Sequence, residues 1–402
     1  MIQAIRAEFP ALHQEVHGHP LTWLDSAATT QKPISVIEAM ERYYREDNAN
    51  VHRGVHELSA RSTTAFEATR EGIRRFLGAR EARECIFVRG TTEGINLVAN
   101  TWGTRHVREG DEILISAMEH HSNIVPWQML AERTGAKVRA VPIDEHGALR
   151  MEEFERLLTE RTKIVAVMQV SNALGTVNPI RKITEMAHKK GAIVVVDGAQ
   201  ATAHVTVDVQ ALDVDFYAMS AHKMYGPTGI GVLYGKAALL EALPPWQGGG
   251  DMIRSVTLEK STFAPIPAKF EAGTPDIAGV IGLGAAVTFM ERVAPFAETH
   301  EASLLQYGHN RLTEIPGLRF VGTAPGKVAI LSFVIDRVHP HDLGTILDRH
   351  GVAIRTGHHC AQPVMQFYKI PATARASLGV YNTTEDIDRL VDALQQAIRV
   401  LR

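Results

Sequence analysis

Along the chain, short apolar runs alternate with stretches in which apolar residues recur every three or four positions. ECIFVRG (84–90), DEILISAM (111–118), KVRAVPI (137–143), KIVAVMQV (163–170) and AIVVVDGA (192–199) are rich in Val and Ile and read as strands. Between them TTEGINLVANTWG and IRKITEMAHKKG (180–191) carry helical spacing, the second closing on glycine. The strand-like runs are nearly continuous instead of alternating. That predicts strands covered on both faces, hence a mostly parallel sheet flanked by helices. FYAMSAHKMYGPTGIGVLYG (216–235) departs from the rhythm, with two strand-like runs joined by a loop in place of a helix.

A change comes near residue 295. The helical pattern from Pro275 to Met290 gives way at VAPFA to a separate long helix, ETHEASLLQYGHNRLTEI (298–315). KVAILSFVI (327–335), a helix near HDLGTILDRHG (341–351), VAIRTG (352–357) and a last helix over EDIDRLVDALQQAIRVL (385–401) make up a compact α+β module. The expected fold is α/β, with a large domain over residues 20–295 and a smaller one built from 1–19 and 296–402.

Composition narrows the function. The 42 basic and 45 acidic residues leave a net charge of -3, which gives no electrostatic case for a nucleic-acid binder or a polybasic membrane protein. Two cysteines, Cys85 and Cys360, cannot build a disulfide framework and point to a reducing, cytoplasmic setting. The first residues carry Glu8 and no long apolar stretch, unlike a signal peptide. No run of 18 apolar residues occurs, so no spanning helix is expected. The expectation is a soluble enzyme.

The candidate chemistry lies where strands end. Lys223, between a strand end and glycines, is either a loop lysine in solvent or a Schiff-base lysine, whose ammonium loses its proton easily when buried. Asp197 closes AIVVVD at the carboxyl edge of the sheet, where open α/β sheets bind ligands. It could cap a helix, or hold the protonated ring nitrogen of pyridoxal phosphate. Gly90-Thr91-Thr92-Glu93-Gly94 opens a helix and could take a phosphate or be an ordinary cap. His120 and His121 follow another strand; either could stack on a flat cofactor and carry protons, or merely occupy a turn. Cys85, inside ECIFV, reads as a small buried hydrophobe, whereas Cys360 in RTGHHCAQP reads as a loop thiol open to attack. A zinc site from His358, His359 and Cys360 fails because three consecutive residues cannot comfortably face one tetrahedral ion. Arg375 could offer a planar fork to a carboxylate, or make a surface ion pair.

The segment VDFYAMSAHKMYGPTGIGVLYG resembles the cofactor-lysine signature of the class V aminotransferase-like proteins, within fold type I of the pyridoxal phosphate enzymes. RGTTEGINLVA, MEHHSN, QVSNALGT, VVDGAQ, FEAGTPD, RTGHHCAQP and RASLGVYNT resemble, in the same order, the group II cysteine desulfurases of the SufS and CsdA type. The resemblance implies that pyridoxal phosphate is bound by Lys223. Asp197 would then meet the ring nitrogen, Gln200 the ring hydroxyl, and His120 the ring face. It puts the phosphate among Thr91, Thr92, Ser220 and His222, with Thr274 supplied by the partner of a homodimer. It gives the substrate to Asn172, Arg375, Arg355 and His52, and the role of sulfur-taking nucleophile to Cys360. L-cysteine would become alanine: Lys223 moves the Cα proton, the Cys360 thiolate takes the sulfur as a persulfide, and His120 donates a proton. The sulfur would serve iron–sulfur cluster assembly or related trafficking through a SufE- or SufU-like acceptor. Selenocysteine lysis, cysteine sulfinate desulfination and a non-catalytic assembly scaffold are the alternatives on the same fold.

Overall fold

A computed structural model describes residues 2–401. Seven strands form its central sheet: β1 (Cys85–Val88), β2 (Glu112–Ser116), β3 (Lys137–Val141), β4 (Thr162–Met168), β5 (Ile193–Asp197), β6 (Phe216–Ser220) and β7 (Gly231–Gly235). Their order is β1-β7-β6-β5-β4-β2-β3. Only β7 runs against the rest, pairing antiparallel with both β6 and β1. It does so because the 216–235 segment has a loop and no crossover helix, so the chain returns as a hairpin.

The continuous apolar runs are explained by burial on both sides. In β4, Val165 and Val167 face one core while Ile164 and Ala166 face another. In β5, Val194 and Val196 alternate in the same way with Ile193 and Val195. Helices α1 (Glu57–Leu77), α2 (Thr91–Val98) and α3 (Ile180–Lys189) lie around the sheet; α1 ends on Gly78 in the left-handed conformation.

The break expected at VAPFA is absent. One 37-residue helix, α4 (Ile277–Thr313), runs through it with Pro295 inside. Pro295 and Glu291 are both exposed, so the carbonyl that loses its helical donor faces water. The apolar stripe changes partner there, from the main core (Ile277 to Val293) to a third core holding Leu304 and Leu312, which is why the pattern reads as two helices. By length and composition α4 could also cross a membrane; instead most of its apolar window is buried against α1 and the rest of the core.

The third core lies under a four-stranded antiparallel sheet of β8 (Leu318–Phe320), β9 (Ile330–Ile335), β10 (Arg355–Gly357) and β11 (Thr373–Ser377), ordered β8-β9-β11-β10. Helices α5 (Pro340–Arg349), α6 (Gln362–Tyr368) and α7 (Thr384–Leu401) complete this part. Leu24 belongs to the same core, so the N-terminal segment crosses between the two sheets.

Candidate active site

Asp197 and Ser220 are the last residues of β5 and β6, and Gly90, Ser116 and Asn172 stand at or just beyond the ends of β1, β2 and β4. Parallel strands bring these ends to one edge, where β10, β11 and the Cys360 loop close over them. The result is a cavity of about 270 Å³. On its wall stand Lys223, Asp197, Gln200 and His120. The Thr91–Thr92 turn, Ser220 and His222 form one side, and Asn172, Arg355, Arg375 and Cys360 the other.

Asp197 is buried and Lys223 half-buried, both on the cavity wall. Burial pushes the lysine down toward its neutral form, with nearby Arg375 adding to the effect and Asp197 and Cys360 opposing it. Burial likewise raises the Asp197 carboxyl, which accepts from the Ala199 amide at 2.9 Å. His120 is held down to about 3, first by burial and then by Lys223, so it stays neutral. Its Nδ1 accepts from the Ser122 amide at 3.1 Å, which leaves the proton on Nε2.

At the α2 N-terminus Thr91 donates its amide to Ser220 Oγ at 2.9 Å, and the Thr92 and Ser122 hydroxyls meet at 2.7 Å. Gly90 has φ of 150°, and a Cβ there would stand 3.1 Å from Ser220 Oγ, so glycine lets the backbone come this close. Opposite, Arg375 gives Nη1 to the Asn172 carbonyl at 2.8 Å and Nη2 to Asp25 at 3.1 Å. Arg355 binds the other Asp25 oxygen at 3.0 Å. Arg375 Nε and Asn172 Oδ1 are buried without a partner. Both residues line the cavity, where a free donor suits a ligand carboxylate and a free acceptor suits a ligand N–H, as an amino acid offers together.

Cys360 is exposed and, like His359, has positive φ, at 55° and 54°. The loop is tied down: Cys360 O accepts from the His121 amide at 2.8 Å, His359 O from Asn172 Nδ2 at 2.7 Å, and His359 Nε2 meets Thr373 Oγ1 at 2.8 Å. Cys85 is buried, its thiol pushed up to about 12, and does not reach the cavity. Among the described residues no group of three His, Cys, Asp or Glu is placed to hold a metal.

Two expected site residues lie elsewhere in the single chain. His52 hydrogen-bonds Glu67 at 3.0 Å, and Thr274 lines a second cavity of about 430 Å³. Sequence reasoning also missed residues that act through others. Asp25 spaces the two arginines. Glu119, fully buried, accepts from Ser116 Oγ, Asn123 Nδ2 and the Met168 amide, and so braces the turn that carries His120. Asp25 stands in none of the motifs, and Glu119 in MEHHSN is overshadowed by the two histidines beside it.

The aminotransferase class-V family profile matches residues 22–390. A cysteine desulfurase from Enterobacter sp. (strain 638) is 52% identical over 402 residues, covering 100% of this chain and 99% of the relative. A cysteine desulfurase from Synechococcus elongatus is 52% identical over 98% of this chain, which spans 63% of that longer relative. Among solved structures, the cysteine desulfurase CsdA (S-sulfonic acid) from Escherichia coli superposes with a TM-score of 0.94 at 41% identity, over 100% of this chain and 99% of the other. The chain belongs to the class-V aminotransferase family. Within it, the chain stands with the group II cysteine desulfurases, which depend on pyridoxal phosphate. The cavity fits that cofactor. A half-buried lysine, a buried carboxyl on the same wall and a helix N-terminus ringed by hydroxyls are what such a ring and phosphate need.

Proposed function

We propose that this protein is a cysteine desulfurase that converts L-cysteine to L-alanine and carries the sulfur away as a persulfide on Cys360. One observation supports this reading above others: a tethered, exposed cysteine opens onto the same cavity as a half-buried lysine displaced toward its neutral amine and a guanidinium with a free Nε. When bound, pyridoxal phosphate supplies an electron sink for the bond changes at the substrate. Lys223 holds the cofactor and, being displaced toward its neutral amine, accepts the substrate Cα proton. Arg375, Arg355 and Asn172 orient the substrate carboxylate. The Cys360 thiolate attacks the substrate sulfur, forming the S–S bond as the C–S bond breaks, and the released carbon is protonated to alanine. The proton taken up by Lys223 is available for that carbon, and neutral His120 donates an Nε2–H hydrogen bond to the reacting sulfur.

The protein acts as a homodimer in this reading: Thr274 stands outside the cavity of its own chain, and the family resemblance has it supplied by the partner. Its two unpaired cysteines suit the reducing cytoplasm, and the sulfur's destination is iron–sulfur cluster assembly or a related route. The hydrogen bonds on both sides of Cys360 leave little slack to swing a persulfide outward, so a small SufE- or SufU-like acceptor protein must come to it. The test is alanine and sulfide release from L-cysteine by the protein and by Cys360→Ser. The variant keeps cofactor and substrate binding and loses sulfur release; full activity would refute the nucleophile.

A further inference from the structure

Just upstream of the cofactor lysine, the carbonyl oxygen of His222 is surrounded by donors from one short N-terminal segment. The Thr30 amide reaches it at 3.0 Å, Thr29 Oγ1 at 3.0 Å, Thr30 Oγ1 at 3.2 Å and Lys32 Nζ at 3.0 Å. A carbonyl has two lone pairs, so four donors exceed its ordinary share. The group is also cross-linked. Lys32 Nζ donates to the Thr30 carbonyl at 2.6 Å and lies 3.4 Å from Thr29 Oγ1, while Thr30 Oγ1 accepts from the Tyr225 amide at 2.8 Å.

We propose that Lys32, with Thr29 and Thr30, is a positioning clamp for Lys223, fixing the peptide plane that leads into it. The peptide unit is rigid, so anchoring the His222 oxygen anchors the nitrogen and Cα of Lys223 as well. Lys223 must leave the cofactor to act as a base and return to the same point in every cycle, and a fixed backbone allows this.

The charge on Lys32 needs this explanation. Its ammonium is largely buried and has no carboxylate partner among the described residues, and burial alone holds it down to about 8. Burying an unpaired ammonium is costly, and a methionine of similar length would fill the space without that penalty. What methionine cannot do is bridge three oxygen acceptors on two segments, residues 29–30 and His222.

The inference rests on Lys223 being the cofactor lysine, and the test separates the two ideas. Hydrogen–deuterium exchange is measured on the cofactor-loaded protein, on Lys32→Met and on Lys32→Arg, with borohydride fixation mapping the cofactor adduct in each. In Lys32→Met, exchange over residues 221–226 rises about tenfold while β4 and β5 stay unchanged, and arginine restores part of the protection. If Lys32→Met does not accumulate as folded protein, Thr29→Val, which removes one donor, is read by the same criteria. Unchanged exchange over 221–226 with the adduct on Lys223 overturns the clamp, as does a uniform rise across the sheet. An adduct on another lysine overturns the assignment of Lys223 instead.

Discussion

Burial at the floor of the cavity sets the protonation states on which the chemistry depends. His120 and Lys223 are both pushed toward neutrality, one as a fixed Nε2–H donor and the other as an available amine. Beside them Glu119 is raised by burial to about 8. Its folded value lies above the ordinary carboxylate range, so between roughly pH 4.5 and 8 the folded state holds a proton that the unfolded state has released. Its contribution to stability is complete at low pH and is lost as pH rises through about 8. Glu119→Gln has no such titration. Denaturant unfolding of the two proteins at about pH 5 and about pH 8 should therefore show the variant gaining relative to the parent at the higher pH. A difference independent of pH would mean that Glu119 is ionised in the folded protein.

At the level of elements, much of the site was legible because several candidates close or follow an apolar run that ends at the main sheet's carboxyl edge. Asp197 after IVVV and Lys223 after FYAMS are examples, and the structure brings both to one cavity. What local pattern could not show was contact between distant segments. Asp25 meets Arg355 and Arg375 across more than 300 residues, and Lys32 meets His222 across 190. Neither has a periodicity or motif to announce it. Helix α4 was misread because proline and a change of buried face together imitate a boundary. Pro295 is exposed and costs the helix one hydrogen bond, so Pro295→Ala should stabilise the protein by about 2 kcal/mol without altering turnover, as read by thermal unfolding. A lower melting temperature would show that the proline shapes the path of α4 between the two cores.

For the whole molecule, the proposed function has one chain hold most of the site and a neighbour supply Thr274. Thr274 stands in a second cavity that shares Arg89, Glu93, Gly229 and Trp246 with a cavity beside the Thr91–Thr92 segment. Val55, Val256 and Leu258 are exposed apolar residues of a kind that association covers. A homodimer is therefore expected by sedimentation, and Thr274→Ala should weaken cofactor retention by roughly 1.5–3 kcal/mol, the worth of a hydrogen bond to a charged group. An active monomer, or a Thr274→Ala protein that holds the cofactor as tightly as its parent, would contradict the shared site. That Cys360 takes the sulfur can be read by mixing the cofactor-loaded protein with L-cysteine without any acceptor thiol. The Cys360 peptide is then weighed by mass spectrometry while alanine is counted. One added sulfur atom on Cys360 is expected for the first alanine formed; alanine accumulating while Cys360 gains no sulfur would rule out the persulfide.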